Sequence, residues 1–224
     1  MQILLKTNPD LIESNDDAQM MVAAAFAVAA TGIDDTWKGL PNRSQYLAAQ
    51  DSAGLTALHH AANFGLLNAV RLLVKDGSKV DALDGMGRSP LILASITGSL
   101  PTVQFLLNER ADVNLKDEPY KQTPLMIAAE NGRDDVVQYL CTRDDVDVND
   151  VATGWREYTA LIFAAIYGSS EIVKTLLKPK TDLEKVDIMF GQSALSWAME
   201  LGHIDVAKLL IQAGADLYSS NKYG

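Results

Sequence analysis

Cysteine is nearly absent: Cys141 is the single copy among 224 residues. No intramolecular disulfide can form, which fits a cytoplasmic protein; a periplasmic or secreted one fits only if a leader has been removed. Met1 to Lys6 is too short to be such a leader. Long apolar runs are also missing. The longest, Met20 to Ala30, is mostly alanine and ends at Gly32, well short of the roughly 20 apolar residues that span a bilayer. Basic residues are scarce, with 19 Lys and Arg against 29 Asp and Glu, a net charge of −10. Nucleic-acid phosphates would be repelled by that balance, and a basic or neutral protein partner is expected instead. Catalytic signatures are missing too. No Gly-x-Ser-x-Gly and no phosphate-binding glycine loop occurs. Neither His59 nor His203 has a cysteine or second histidine at metal-ligand spacing. Neither a metal nor any other cofactor is implied, and the chain is not expected to be an enzyme.

What the chain does have is repetition. Thr56-Ala57-Leu58-His59, Ser89-Pro90-Leu91-Ile92, Thr123-Pro124-Leu125-Met126, Thr159-Ala160-Leu161-Ile162 and Ser193-Ala194-Leu195-Ser196 are variants of one phrase, stepping by 33, 34, 36 and 34 residues. A glycine follows each at the same offset: Gly65, Gly98, Gly132, Gly168 and Gly202. Such a period signals stacked copies of one supersecondary unit. In the copy from Asp51 to Leu83, Thr56 is a good N-cap, and Leu58, Ala61 and Ala62 line one side of the helix that follows. Gly65 ends that helix in the left-handed conformation. Ala69, Val70, Leu72 and Leu73 form the buried stripe of a second, antiparallel helix, which Gly77 ends. The chain then runs outward through a turn at Asp84, Gly85 and Gly87. Cys141 falls on the same kind of apolar stripe and reads as a buried, inert thiol.

The phrases Thr-Pro-Leu, Ala-Ala-x-x-Gly, Val-Val-x-x-Leu and Gly-Ala-Asp-Leu together resemble the ankyrin repeat, over residues 51 to 218. The resemblance implies an all-α ankyrin-repeat solenoid, in which two helices and a projecting β-turn make an L-shaped unit and the units stack into a curved array. It also implies protein binding without catalysis, and for His59 a hydrogen-bonding role at the start of the first helix. Five repeats are expected, at 51–83, 84–116, 117–150, 151–186 and 187–218. Residues 1–50 read as a degenerate N-terminal capping region, and 219–224 as a tail entering a further turn. The chain begins and ends inside units, which is compatible with a longer natural protein or a removed leader.

In ankyrin-like repeats the residues between Ala-Ala and Gly face the concave side, and the turns project. The first set places Phe64, Ile96, Asn131, Ile166, Tyr167 and Leu201 on the expected binding face. The second places Met86, Tyr120, Trp155, Tyr158, Ile188, Met189 and Phe190 at or near the turn tips. Large apolar side chains that a stack does not need to bury suggest a protein interface. The connection from Gly132 to Thr159 is the longest of its kind, with the extra residues around Asp144-Asp145 and Thr153 to Arg156. Trp155 is therefore the strongest candidate anchor. Residues 117 to 150 hold nine acids and three bases, enough to steer a basic partner or simply to keep a face solvated. Asp145-x-Asp147-x-Asn149 starts like a calcium loop, but Asp150 and Arg156 stand where glycine and glutamate are required. Asn42-Arg43-Ser44 matches the glycosylation triplet without a secretory context. With no room beside the repeats for an effector domain, the chain is expected to cover a partner, as a stoichiometric inhibitor or masking protein. A scaffold or targeting domain within a longer protein is the alternative. A monomer is expected when the chain is free.

Overall fold

The computed structural model describes residues 15–31, 43–118, 120–153 and 157–217. Among them are twelve α-helices and no strand, the all-α class that the resemblance implies. They are α1 (Asn15–Thr31), α2 (Arg43–Ala48), α3 (Ala57–Asn63), α4 (Leu67–Lys75), α5 (Pro90–Thr97), α6 (Leu100–Asn108), α7 (Pro124–Glu130), α8 (Asp134–Leu140), α9 (Ala160–Ile166), α10 (Ser170–Leu176), α11 (Ala194–Glu200) and α12 (Ile204–Gln212). They fall into two compact units. The first takes in residues up to Ala94 with 101–112, and the second takes in 95–100 with everything from Val113.

From α3 to α12 the helices come in pairs, and the sequence shows why each pair forms. Thr56, Ser89, Thr123, Thr159 and Ser193 each accept a hydrogen bond on the side-chain oxygen from the backbone N–H three residues on, at 3.2–3.4 Å. This satisfies one of the orphan donors at a helix start. The first helix of each pair ends at the glycine of the repeated phrase. All five of these glycines have φ between 63 and 78°, where an L side chain is disfavoured. The left-handed residue lets the next N–H turn back onto the helix: Arg133 N–H donates to Ala128 O at 2.9 Å, and His203 N–H to Ala198 O at 2.8 Å. The second helices α4, α8, α10 and α12 do without side-chain caps and are held by burial instead.

In the first compact unit Leu58, Leu73, Leu91, Ile92 and Leu106 are fully buried, and α1 packs on α2, α3 and α4. Its Phe26 tilts against His60 and Phe64, both at 5.8 Å. In the second unit α7, α9 and α11 pack side by side, as do α8, α10 and α12, around Met126, Leu140, Ile162, Ile172, Leu176 and Leu210. Cys141 closes α8 with its thiol buried, and that burial pushes the thiol's pKa up, against the pull of Lys178. It is a core side chain, as expected.

Neighbouring repeats are tied by a recurring hydrogen-bonded joint, three residues before each turn. Asp81 accepts from Asp112 N–H at 3.2 Å. Asn114 donates to Asp145 O at 2.9 Å. Asn149 both donates to Lys180 O at 2.7 Å and accepts from Asp182 N–H at 2.8 Å. Glu184 accepts from Asp216 N–H at 2.9 Å. Asparagine serves best because its amide offers donor and acceptor together.

His59 makes a further joint. Its Nε2 lies 3.0 Å from Arg88 O, while Nδ1 lies 3.1 Å from Thr56 N and 2.8 Å from Thr56 Oγ1. A carbonyl only accepts, so Nε2 carries the proton and Nδ1 accepts from Thr56, which defines a neutral imidazole. Burial holds its pKa below the ordinary imidazole value of 6.5, outweighing the pull of Arg88 O and Asp84. The unfolded chain therefore takes up this proton first as the pH falls. His59 contributes full stability above about pH 6.5, and part of that is lost below it. Denaturation midpoints between pH 7.5 and 5.5 should fall for the natural chain and fall less for His59→Gln; parallel slopes would remove His59 as the cause.

Candidate functional site

Four of the projecting turns are built around an aspartate, half-buried in the first and buried in the other three. Asp187 accepts on its carboxylate from Phe190 N–H at 2.7 Å, Gln192 N–H at 3.1 Å and Trp197 Nε1–H at 3.1 Å. Asp84 does the same for Met86 and Arg88 N–H at 2.9 and 2.8 Å, with the Arg88 guanidinium closing over it. Asp117 takes Gln122 N–H at 2.6 Å, and Asp51 takes Ala53 and Leu55 N–H at 2.9 Å. In the fourth turn Ala152 stands at this position, and its N–H donates to Tyr158 O at 2.9 Å. These aspartates were not among the expected site residues, although their spacing of 33 between Asp51, Asp84 and Asp117 was there to be seen. They tie the backbone of four tips to a carboxylate. In the Asp187 turn Val186, Ile188 and Met189 stand exposed.

The expected binding residues fall into distinct groups. Phe64, Met86, Tyr120, Tyr167, Ile188, Met189 and Leu201 are exposed, and so is Asn131, whose amide donates to Ile127 O at 2.8 Å. Tyr167 and Leu201 close the neighbouring helices α9 and α11 at equivalent positions. Phe64 is less free than its exposure suggests, since its ring meets Phe26. Ile96 and Ile166 are half-buried. Their carbonyls hold the repeat that follows: Ile96 O accepts from Arg133 Nε at 2.8 Å, and Ile166 O from His203 Nε2 at 2.9 Å. Two turn residues depart from expectation. Tyr158 is only 3% exposed, packed edge-on against Phe163 at 5.3 Å and Trp197 at 6.0 Å. It is a core residue and offers no side chain to a partner. Phe190 is half-buried against Trp197, with centroids 5.7 Å apart. Trp155 lies outside the described residues.

Part of the acidic character has a structural job. Asp134 and Asp135 sit in the first turn of α8, where the helix dipole favours negative charge. Asp145 pairs with Arg143 through two bonds of 2.9 and 2.6 Å, and this guanidinium holds its carboxyl below the usual range. Asp150 pairs with Lys116 at 2.7 Å. In the calcium-like triplet, Asp145 is thus committed to Arg143 and Asn149 to the next repeat. No group of three His, Cys, Asp or Glu among the described residues could hold a metal ion. No helix among them is long and apolar enough to cross a membrane.

Comparison with known proteins bears on the same features. The family model described as ankyrin repeats (3 copies) matches in overlapping stretches over residues 2–117, 86–152, 110–187 and 144–221. The chain is similar to a Caenorhabditis elegans homolog of transient receptor potential cation channel subfamily A member 1, with 27% identity over 208 residues, 92% of this chain and 16% of that protein. The Homo sapiens subfamily A member 1 channel is 33% identical over 130 residues, 57% of this chain and 11% of that one. The Mus musculus B-cell lymphoma 3 protein homolog is 31% identical over 174 residues, 75% of this chain and 38% of that one. The chain thus spans well under half the length of each of these relatives. Ankyrin repeats generally mediate protein–protein interaction, and the family is in general not enzymatic. Capped helix pairs, left-handed glycines at a fixed offset and the family match over nearly the whole length agree: the chain belongs to the ankyrin-repeat family.

Proposed function

We propose that this chain is a non-enzymatic binding module that lays its first-helix ends and turn tips over a protein partner, acting as a stoichiometric inhibitor or masking protein for an enzyme or regulator. The observation that carries the reading is the Asp187 turn. A fully buried carboxylate braces the loop, yet Ile188 and Met189 leave 43% and 42% of their surface exposed. Folding gains nothing from the apolar surface left in water, whereas binding gains from anchors that are already ordered. Tyr167 and Leu201 extend the set, and Trp155 remains a proposed anchor in the longest turn. The net charge of −10 favours a basic partner. The reading places the free chain as a monomer in the cytoplasm, with its repeats divided at 51–83, 84–116, 117–150, 151–186 and 187–218.

A second reading, a scaffold or targeting segment of a longer protein, draws support from relatives of which the matching stretch is at most 38%. The two separate by titration. Affinity purification from the native source supplies the partner. If the partner is an enzyme, one equivalent of this chain should abolish its activity under masking, and leave it intact under scaffolding. Replacing Tyr167, Ile188 and Leu201 together with alanine should weaken the complex by several kcal/mol by calorimetry, roughly a hundredfold or more. Unchanged affinity would remove this surface from the proposal.

A further inference from the structure

The hydrogen-bonded joint between repeats lacks its side chain at one place. Asp81, Asn114, Asn149 and Glu184 each supply it, three residues before a turn. Three residues before Asp51 stands Ala48, whose methyl neither donates nor accepts. The stacking there keeps its register all the same. Arg43 pairs with Asp76 at 3.8 Å and Gln50 donates to Leu83 O at 2.9 Å, each 33 residues on, and Gly85 N–H donates to Ala53 O at 2.9 Å. In this register Gly77 O and Lys79 N–H correspond to Lys180 O and Asp182 N–H, both of which Asn149 satisfies. Among the described residues no hydrogen bond reaches Gly77 O or Lys79 N–H. Ser78 lies between them, 7% exposed, and its hydroxyl is the one buried side-chain polar atom of the described residues without a partner. A pocket of about 490 Å³ opens here between α2 and the residues that follow α4, and Ala48, Gly77 and Lys79 all line it.

These groups define what fits. An ammonium cannot accept from Lys79 N–H. A carboxylate can accept, as Asp81 and Glu184 do at their own joints. It brings no proton to Gly77 O, however, and it enters beside Asp76, which lines the same pocket. A carboxamide offers donor and acceptor together, as Asn149 does. One such group takes up a small part of a volume that is of the size ligand pockets have. Leu47 and Leu83 on the walls suit the chain on either side of it. We propose that this pocket captures an asparagine side chain from an extended segment of a partner protein, at a site separate from the first-helix ends and turn tips. The carboxamide accepts from Lys79 N–H and donates to Gly77 O, and so completes the joint that Ala48 cannot make.

The test uses the full chain, labelled with ¹⁵N, and a blocked peptide with the sequence of residues 111–116, Ala-Asp-Val-Asn-Leu-Lys, which has no net charge and one asparagine. Titration followed by NMR should move the Lys79 amide resonance together with those of Gly77 and Ser78. Affinity should fall about tenfold or more when leucine replaces the peptide's asparagine, because both backbone groups lose their partner. Aspartate in that place, which the exposed Lys79 would favour, should also bind more weakly than asparagine. Ala48→Asn supplies the missing side chain from within, so it should weaken peptide binding about tenfold and slow hydrogen exchange at Lys79 N–H. Ala48→Leu should block the peptide without slowing that exchange. Tyr167→Ala/Ile188→Ala should bind as the natural chain does, which keeps the outcome separate from that of the surface proposed above. Thermal midpoints no lower than the natural chain's show that the variants are folded. Equal affinity for the asparagine and leucine peptides, or an Ala48→Asn chain that binds as well as the natural one, would overturn the proposal. So would exchange at Lys79 N–H in the free chain as slow as at Asp182 N–H, since the group would then already have a partner.

Discussion

Asp187→Ala is expected to lower the unfolding free energy by about 3 kcal/mol, through the donors it would strand rather than any contact it would lose. The carboxylate is fully buried and satisfies Phe190 N–H, Gln192 N–H and Trp197 Nε1–H. Alanine leaves all three without their acceptor. An unpaired buried donor costs about 1–3 kcal/mol, and partial relaxation of an outward loop keeps the sum near the lower end. Asp187→Asn retains one acceptor oxygen but turns its own N–H groups toward existing donors, so it should recover only part of the loss. Urea denaturation followed by tryptophan fluorescence and by circular dichroism reads the effect, with Trp197 as a local reporter. A cost below about 1 kcal/mol would mean that the turn holds itself without the carboxylate.

Gly168→Ala is the second large effect, and Gly132→Ala is its control. Both glycines are left-handed, at φ 70 and 66°, so both substitutions carry the roughly 1–2 kcal/mol penalty of an L residue there. They differ in what the new methyl meets. At Gly132 nothing lies within 4 Å, whereas at Gly168 the Cβ would sit 2.6 Å from His203 Nδ1. His203 is fixed, because its Nε2 is bonded to Ile166 O at 2.9 Å. The ring must move and that bond must break. Gly168→Ala should therefore exceed Gly132→Ala by about 1–2 kcal/mol, one hydrogen bond plus the displaced packing. Adding His203→Ala to each variant closes a double-mutant cycle. The excess at Gly168 should vanish in the His203→Ala background; if it persists, the contact is not its source.

The repeat itself was legible in the sequence because it obeys local rules. A threonine or serine cap, a small Ala-Ala pair and a glycine at a fixed offset are each dictated by backbone geometry, and the five glycines all adopt the conformation that their placement demands. The insertion in the fourth repeat was readable in the same way: Ala152 precedes its cap by seven residues where Asp51 precedes Thr56 by five. The side chains of the turns were less legible. Tyr158 looks like a tip residue by position, but it stands directly before its cap, where Gln122 and Gln192 are buried too, and it packs against Trp197, a contact between repeats that spacing alone does not encode. Phe190 follows the same cluster. Buried aspartates escaped notice because a charged residue in a polar turn reads as solvated until its N–H partners are seen. Lys121 and Glu157 hold the left-handed turn position that glycine fills at 54, 87 and 191, so composition alone would misplace those two tips.

The joints at Asp81, Asn114, Asn149 and Glu184 reach only from one repeat to the next, across about thirty residues of sequence and never farther. Damage to such a chain is contained. A lesion at Asn149 frees the strap around Lys180 and Asp182 while the clasp between Asp81 and Asp112 keeps its hold. An inherited substitution can thus cripple one rung and spare the ladder, which gives each rung latitude to drift toward a new partner on its own.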